Sequence, residues 1–178
     1  VTNGYYTERT ILNVKEIRKL CPGIKLKIQI SIDDFEEQHD ENRKVEGIYS
    51  NAMRTLKELS SIRKSDKYLN IDIATCMTKT NKKRVTRLYD QLREENDFDD
   101  YQVLYPRGNA KDEQEKEVSR EEWWQSLQHI QKRSFRDNHN PILPAVNRIA
   151  KKGIYKFLES GVQSWNCLAG RKFISITE

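Results

Sequence analysis

No run of apolar residues in this sequence approaches the roughly 18 that a membrane-spanning helix needs. The first residues also lack the charged start, apolar centre and small-residue end of a secretory signal. Cysteine is scarce. Cys21, Cys76 and Cys167 lie far apart with no C-x2-C or C-x3-C pair, which excludes a disulfide framework and a local cysteine metal site. Scattered thiols suit a reducing compartment, and a cytoplasmic location is expected. Apolar residues are also few, at 36% against 33% charged, where globular chains average about 45–50% and 25%. With a mean hydropathy of −0.88, the chain either leaves one face of its sheet wet or lacks part of the core it evolved with.

What is present begins with charge. The 178 residues suit one domain and carry a net charge of +5, unevenly spread. Lys79, Lys82, Lys83, Arg84 and Arg87 form a run with no acid among them. Residues 94–122 hold 11 acids against 4 bases, and residues 123–178 hold 9 bases against 3 acids. The basic run suits phosphate or nucleic acid, or simply a solvated helix face. No RNA-reading motif or aromatic–basic interleaving accompanies it, so nucleic acid is not an expected partner.

Three segments alternate with the period of a strand. Leu26, Ile28, Ile30 and Ile32 point one way, and Lys25, Lys27, Gln29 and Ser31 the other. Leu69, Ile71 and Ile73 alternate with Asn70, Asp72 and Ala74; Tyr101, Val103 and Tyr105 alternate with Gln102 and Leu104. Parallel strands buried on both faces read as continuous apolar runs, and these do not. Two architectures fit: a sheet with one wet face, or a barrel whose lumen is polar because it holds ligands. Helices between the strands favour parallel pairing and therefore the barrel.

Helices are expected from Thr7, as N-cap, to Leu20, over 47–64, over 81–94, from the capping box Ser119-Arg120-Glu121-Glu122 onward, and from Asn140-Pro141 to about Leu158, with a bend possible at Gly153. The polar run 109–118 reads as a mobile loop and 172–177 as a short strand. Trp123 and Trp124 are adjacent, so they cannot share one helix face. Thr2-Asn3-Gly4 reads as the turn that leaves a strand.

Strand ends are where α/β folds collect ligands, and the first full strand ends in Ser31-Ile32-Asp33-Asp34. With Thr2-Asn3-Gly4, His39-Asp40-x-x-Arg43, Gly47 and Asn81, this end resembles the second half of a radical S-adenosylmethionine (SAM) enzyme barrel. Cys167-x-Ala169-Gly170 and Phe173-Ile174-Ser175-Ile176 resemble the opening of the SPASM extension, which carries auxiliary iron–sulfur clusters. The resemblance covers nearly all of the chain in the correct order.

It implies a parallel-strand α/β fold, a partial (βα)6 barrel lacking its first strands. Residues 1–110 would be the second half of the barrel, 111–160 a helical segment packing on it, and 161–178 the start of the extension. Such enzymes cleave SAM at a [4Fe–4S] cluster, and the 5′-deoxyadenosyl radical takes hydrogen from a peptide, protein or small-molecule substrate. Ser31 matches the hydroxyl that contacts SAM, Arg43 the arginine that grips its carboxylate, and Thr2 and Asn3 the turn lining the cavity. Asp33 is either an acceptor facing the lumen or a cap of the next segment. Cys167 matches the first ligand of an auxiliary cluster. Tyr105 and Arg107 are candidates to line the substrate cavity.

The same residues allow blander readings. Ser31 can be an ordinary strand-end hydroxyl, Arg43 a surface ion pair with Asp40 or Glu46, and His39 a support for its loop.

The chain departs from the family in lacking the C-x3-C-x2-C loop, whose three thiolates leave one iron for SAM. The glycine- and glutamate-bearing strand end that holds the SAM amino group is absent too. Asp34 stands where the family commonly has glycine. The chain is therefore expected to be an internal fragment, inactive alone. It would need the N-terminal part of the barrel and tend to self-associate through an open sheet edge. The alternative is an α/β binding module in which the basic 79–87 segment holds anionic ligands or protein partners without catalysis.

Overall fold

The computed structural model describes residues 1–107, 112–137 and 142–163. The chain divides into two compact units, Val1–Ile130 and Gln131–Glu178.

In the first unit each alternating segment forms a strand: β1 (Leu26–Ser31), β2 (Leu69–Cys76) and β3 (Asp100–Leu104). All pairing is parallel, in the order β1-β2-β3. Thr2 continues that order on the far side of β1. Its N–H donates to Gln29 O (2.8 Å) and its carbonyl accepts from Ser31 N–H (3.0 Å), forming a parallel bridge with Ile30. The fold is thus α/β with an open, all-parallel sheet. Each spatial neighbour is the next strand along the chain.

Helices α1 (Thr7–Leu20), α2 (Glu36–Arg43), α3 (Ile48–Arg63) and α4 (Val85–Glu95) connect the strands. The apolar face of the sheet, Ile30, Ile32, Ile71, Ile73, Tyr101 and Val103, is buried with Ala52, Leu56 and Leu59 of α3 and with Leu88, Tyr89 and Leu92 of α4. Burying each such aliphatic side chain stabilises by roughly 1.5–3 kcal/mol. The opposite parity carries Lys27, Gln29 and Ser31 beside Asn70, Asp72 and Ala74, in register. There Lys27 Nζ lies 2.7 Å from Asp72 Oδ2, and the Asp72 side chain is 1% exposed. Burial pushes the Asp72 carboxyl up while Lys27 pulls it down.

Several local expectations change. Thr7 is not a cap: Tyr6 is the capping residue, and the Thr7 hydroxyl meets Thr55 Oγ1 at 2.7 Å inside the α1–α3 contact. The helix expected from 81 begins at Val85, because Asn81 is buried and its side chain closes the loop after β2. The polar helix α2 carries no apolar stripe to announce it; His39 is its one buried residue.

Part of the expected loop 109–118 is a 3-10 turn, Glu113–Lys116. Glu113 pairs within the turn with Lys116, while Glu115 accepts from Thr80, and Glu117, just after the turn, pairs with Lys79 at 2.8 Å. The capping box forms as read. Ser119 Oγ accepts from Glu122 N–H (3.1 Å), and a Glu122 carboxylate oxygen accepts from Ser119 N–H (2.8 Å), opening α5 (Arg120–Asp137). Trp123 is buried, with its indole N–H on Val103 O (3.0 Å), while Trp124 is half-buried.

The second unit contributes α6 (Ile142–Ser160), which is continuous through Gly153. Cys167 and the strand expected at 172–177 lie outside the described residues.

Candidate functional site

The carboxyl ends of β1 and β2 are tied together by one side chain from each connection. Asp33, two residues past Ser31, accepts at Oδ1 from Cys76 N–H (2.9 Å). Its other oxygen accepts from Arg43 Nη2 (2.5 Å). Asn81, in the connection after β2, donates through Nδ2 to Asp33 O (2.7 Å) and Cys76 O (2.8 Å). Its Oδ1 accepts from Thr78 N–H (2.7 Å), so a single amide ties both strand ends and the loop after β2.

Asp33 does not cap the following segment, where Asp34 accepts from Phe35 N–H instead. Asp33 is an acceptor at the strand end, and it also fixes Arg43. The alternative pairing of Arg43 with Asp40 or Glu46 does not form. Asp40 instead accepts from Gly47 N–H (2.6 Å) and Tyr49 N–H (2.8 Å), which starts α3. Among the described residues only one nitrogen of the Arg43 fork has a partner, and the side chain is 36% exposed. Its remaining N–H groups suit a second oxyanion.

Ser31 shares the strand parity of Asp33, and its hydroxyl has no partner among the described residues. Ser31 and Asp33 thus stand two residues apart at the carboxyl end of β1, and Asp33 holds Arg43. Thr2 and Asn3 border this end by the bridge to Ile30. Their side chains serve their own turn, with Thr2 Oγ1 accepting from Gly4 N–H and Asn3 Oδ1 from Tyr5 N–H, each at 3.1 Å.

Two buried groups support the cluster. His39 Nδ1 accepts from Asp33 N–H (3.1 Å), so the proton sits on Nε2, which is buried without a partner. Burial holds its pKa below the ordinary value, with the nearby Arg43 adding to the effect and Asp33 opposing it. Asp34, fully buried, takes a bidentate grip from Arg84 (2.9 and 2.5 Å) and caps Phe35 N–H (2.9 Å). Nothing in the sequence announced Arg84, which looks like one more member of a basic run.

Other candidates take structural roles. The Tyr105 hydroxyl donates to Val118 O (2.8 Å), and its ring meets Trp123 edge-on, so it anchors the segment before α5. Arg107 is exposed. The Cys76 thiol lies at the strand end, but burial and the Asp33 carboxylate push its pKa up, away from the thiolate that a metal ligand or nucleophile needs.

Among the described residues no group of three or more His, Cys, Asp or Glu side chains is placed to hold a metal ion. No helix among them is long and apolar enough to cross a membrane. Comparison of the chain with models of protein families, with curated proteins and with solved structures finds no match.

Proposed function

We propose that this chain is part of a radical-SAM-type (βα) barrel leading into a SPASM-like extension, and that the polar side of its sheet is the wall against which SAM binds. The observation that carries the reading is the strand order, with Thr2, β1, β2 and β3 adjacent in chain order and all parallel. A barrel needs that succession, whereas a doubly wound sheet reverses it. The apolar parity faces the helices, and the polar parity ends in Ser31, Asp33 and the Arg43 they lead to.

In this reading Arg43, oriented by Asp33, takes the SAM carboxylate with its free N–H groups. Ser31 supplies a hydroxyl, and Thr2 and Asn3 border the cavity. Bound SAM would supply the hydrogen-abstracting 5′-deoxyadenosyl radical for a peptide, protein or small-molecule substrate, provided that a [4Fe–4S] cluster delivered the electron. The described residues do not fit the cluster itself. Cys21 follows α1, Cys76 ends β2, and no third ligand joins either. In this reading the ligands of the SAM-binding cluster are not among the described residues. Cys167, the proposed ligand of an auxiliary cluster, lies outside the described residues.

The test is equilibrium binding of SAM to the polypeptide that contains this chain. Arg43→Ala is expected to weaken binding by about 1.5–3 kcal/mol, the scale of a hydrogen bond to a charged group, or roughly 10- to 100-fold. Unchanged binding would remove Arg43 from the site.

A further inference from the structure

The loop after β2 holds an anion that belongs to the chain itself. One Glu115 carboxylate oxygen accepts from the Thr80 hydroxyl (2.5 Å), and the other from Thr80 N–H (3.2 Å). The Thr78 hydroxyl and the charge of Lys79 act on the same carboxylate. Hydrogen bonding from Thr80 leads these effects, and together they hold the Glu115 carboxyl below its usual range. The Thr80 N–H and hydroxyl suit a carboxylate or phosphate, with the Lys79 charge nearby although its ammonium pairs with Glu117 at 2.8 Å.

The segment that delivers Glu115 is anchored by more than the Glu115 carboxylate: Glu115 O accepts from Lys79 N–H (3.0 Å), and Lys82 Nζ donates to Glu117 O (3.2 Å). Val118 is buried, Tyr105 donates to its carbonyl, and the Ser119–Glu122 box fixes the start of α5. Glu115 and Thr80 meet near the surface, where such contacts contribute little to folding. The loop also lies at a strand's carboxyl end and shares Asn81 with the Asp33 cluster. Beside Lys82 opens a groove of about 270 Å3, lined by Lys82, Lys83, Thr86, Glu122, Gln125 and Ser126.

We propose that residues 78–82 form a binding site for a small ligand bearing a carboxylate or phosphate, and that Glu115 fills this site as an internal competitor. The ligand binds by displacing the Glu115 carboxylate, while the Glu115 backbone on Lys79 N–H, Val118 and Tyr105 keep the segment attached. An intramolecular competitor acts at an effective concentration on the order of mM, so it masks the site from weak anions. This proposal stands whether or not the chain binds SAM.

The experiment is an NMR titration of the Thr80 amide at constant ionic strength, with acetate and with inorganic phosphate in separate arms. It compares the native chain with Glu115→Ala and with Glu115→Ala/Thr80→Val, the latter followed at the Asn81 and Lys82 amides. In Glu115→Ala we expect a saturable shift with an apparent Kd at least about tenfold lower than in the native chain. The tighter of the two anions names the ligand class, and Thr80→Val removes the gain. A preserved Trp123 indole signal shows that the segment remains docked. The proposal is overturned if Glu115→Ala shows no saturable shift with either anion. It is equally overturned if the two chains titrate alike, because Glu115 would then be only a structural tie.

Discussion

Arg43 and Asp33 show how far single residues speak for themselves. Their types and positions after a strand marked both as candidates, and the structure joins them at 2.5 Å. The role of His39 was less legible, because a lone histidine on a polar helix carries no pattern. Its Nδ1 holds the Asp33 backbone only while unprotonated. Burial, aided by Arg43, lowers its pKa and outweighs Asp33, Asp40 and Asp34, which raise it. In the unfolded chain it titrates near its ordinary value of about 6.5. As pH falls below that value the unfolded state takes up the proton first, so stability is lost down to the depressed folded pKa. Urea unfolding between pH 7.5 and 5 should show this loss. His39→Gln, which keeps an acceptor but cannot titrate, should flatten the profile. An equal slope in both chains would show that His39 stays out of the linkage.

At the scale of elements, periodicity did most of the work. The strands near 25–32, 69–77 and 101–105 and the helix 47–64 fall within a few residues of their observed bounds. The Ser119–Glu122 box formed because its donors and acceptors are local. What failed rested on distant partners. Thr7 spends its hydroxyl on α3, Asn81 on two strand ends, and Glu115 on a loop 35 residues away. Gly4 belongs to the same class. Its turn was legible, but not that a Cβ there would lie 2.7 Å from Ala52 Cα at a φ of +75°. Gly4→Ala is therefore expected to destabilise by about 2–4 kcal/mol, from overpacking added to the left-handed backbone. Thermal or urea unfolding checks it, and a loss below about 0.5 kcal/mol, the range of ordinary surface changes, would contradict the close packing of this turn on α3.

For the whole molecule, the alternation left a wet-faced sheet and a polar barrel both open. The sheet described here is open, and Thr2 occupies only the last part of the β1 edge. Gln29 and Ser31 turn their backbone groups to Thr2, so by alternation Lys27 turns its own to the unfilled stretch. Such an edge invites pairing with another chain. Sedimentation should show a mass that rises with concentration, and Lys27→Pro, which removes the edge N–H, should restore the monomer. A native chain that is monomeric throughout would show the edge to be protected.

Binding of SAM to the polypeptide that carries this chain bears most directly on the proposal that the polar parity of the sheet is a cofactor wall. We expect saturable binding that Arg43→Ala weakens roughly 10- to 100-fold, with a smaller loss for Ser31→Ala. A folded polypeptide that binds no SAM, or binds it equally well without the Arg43 guanidinium, would contradict the account.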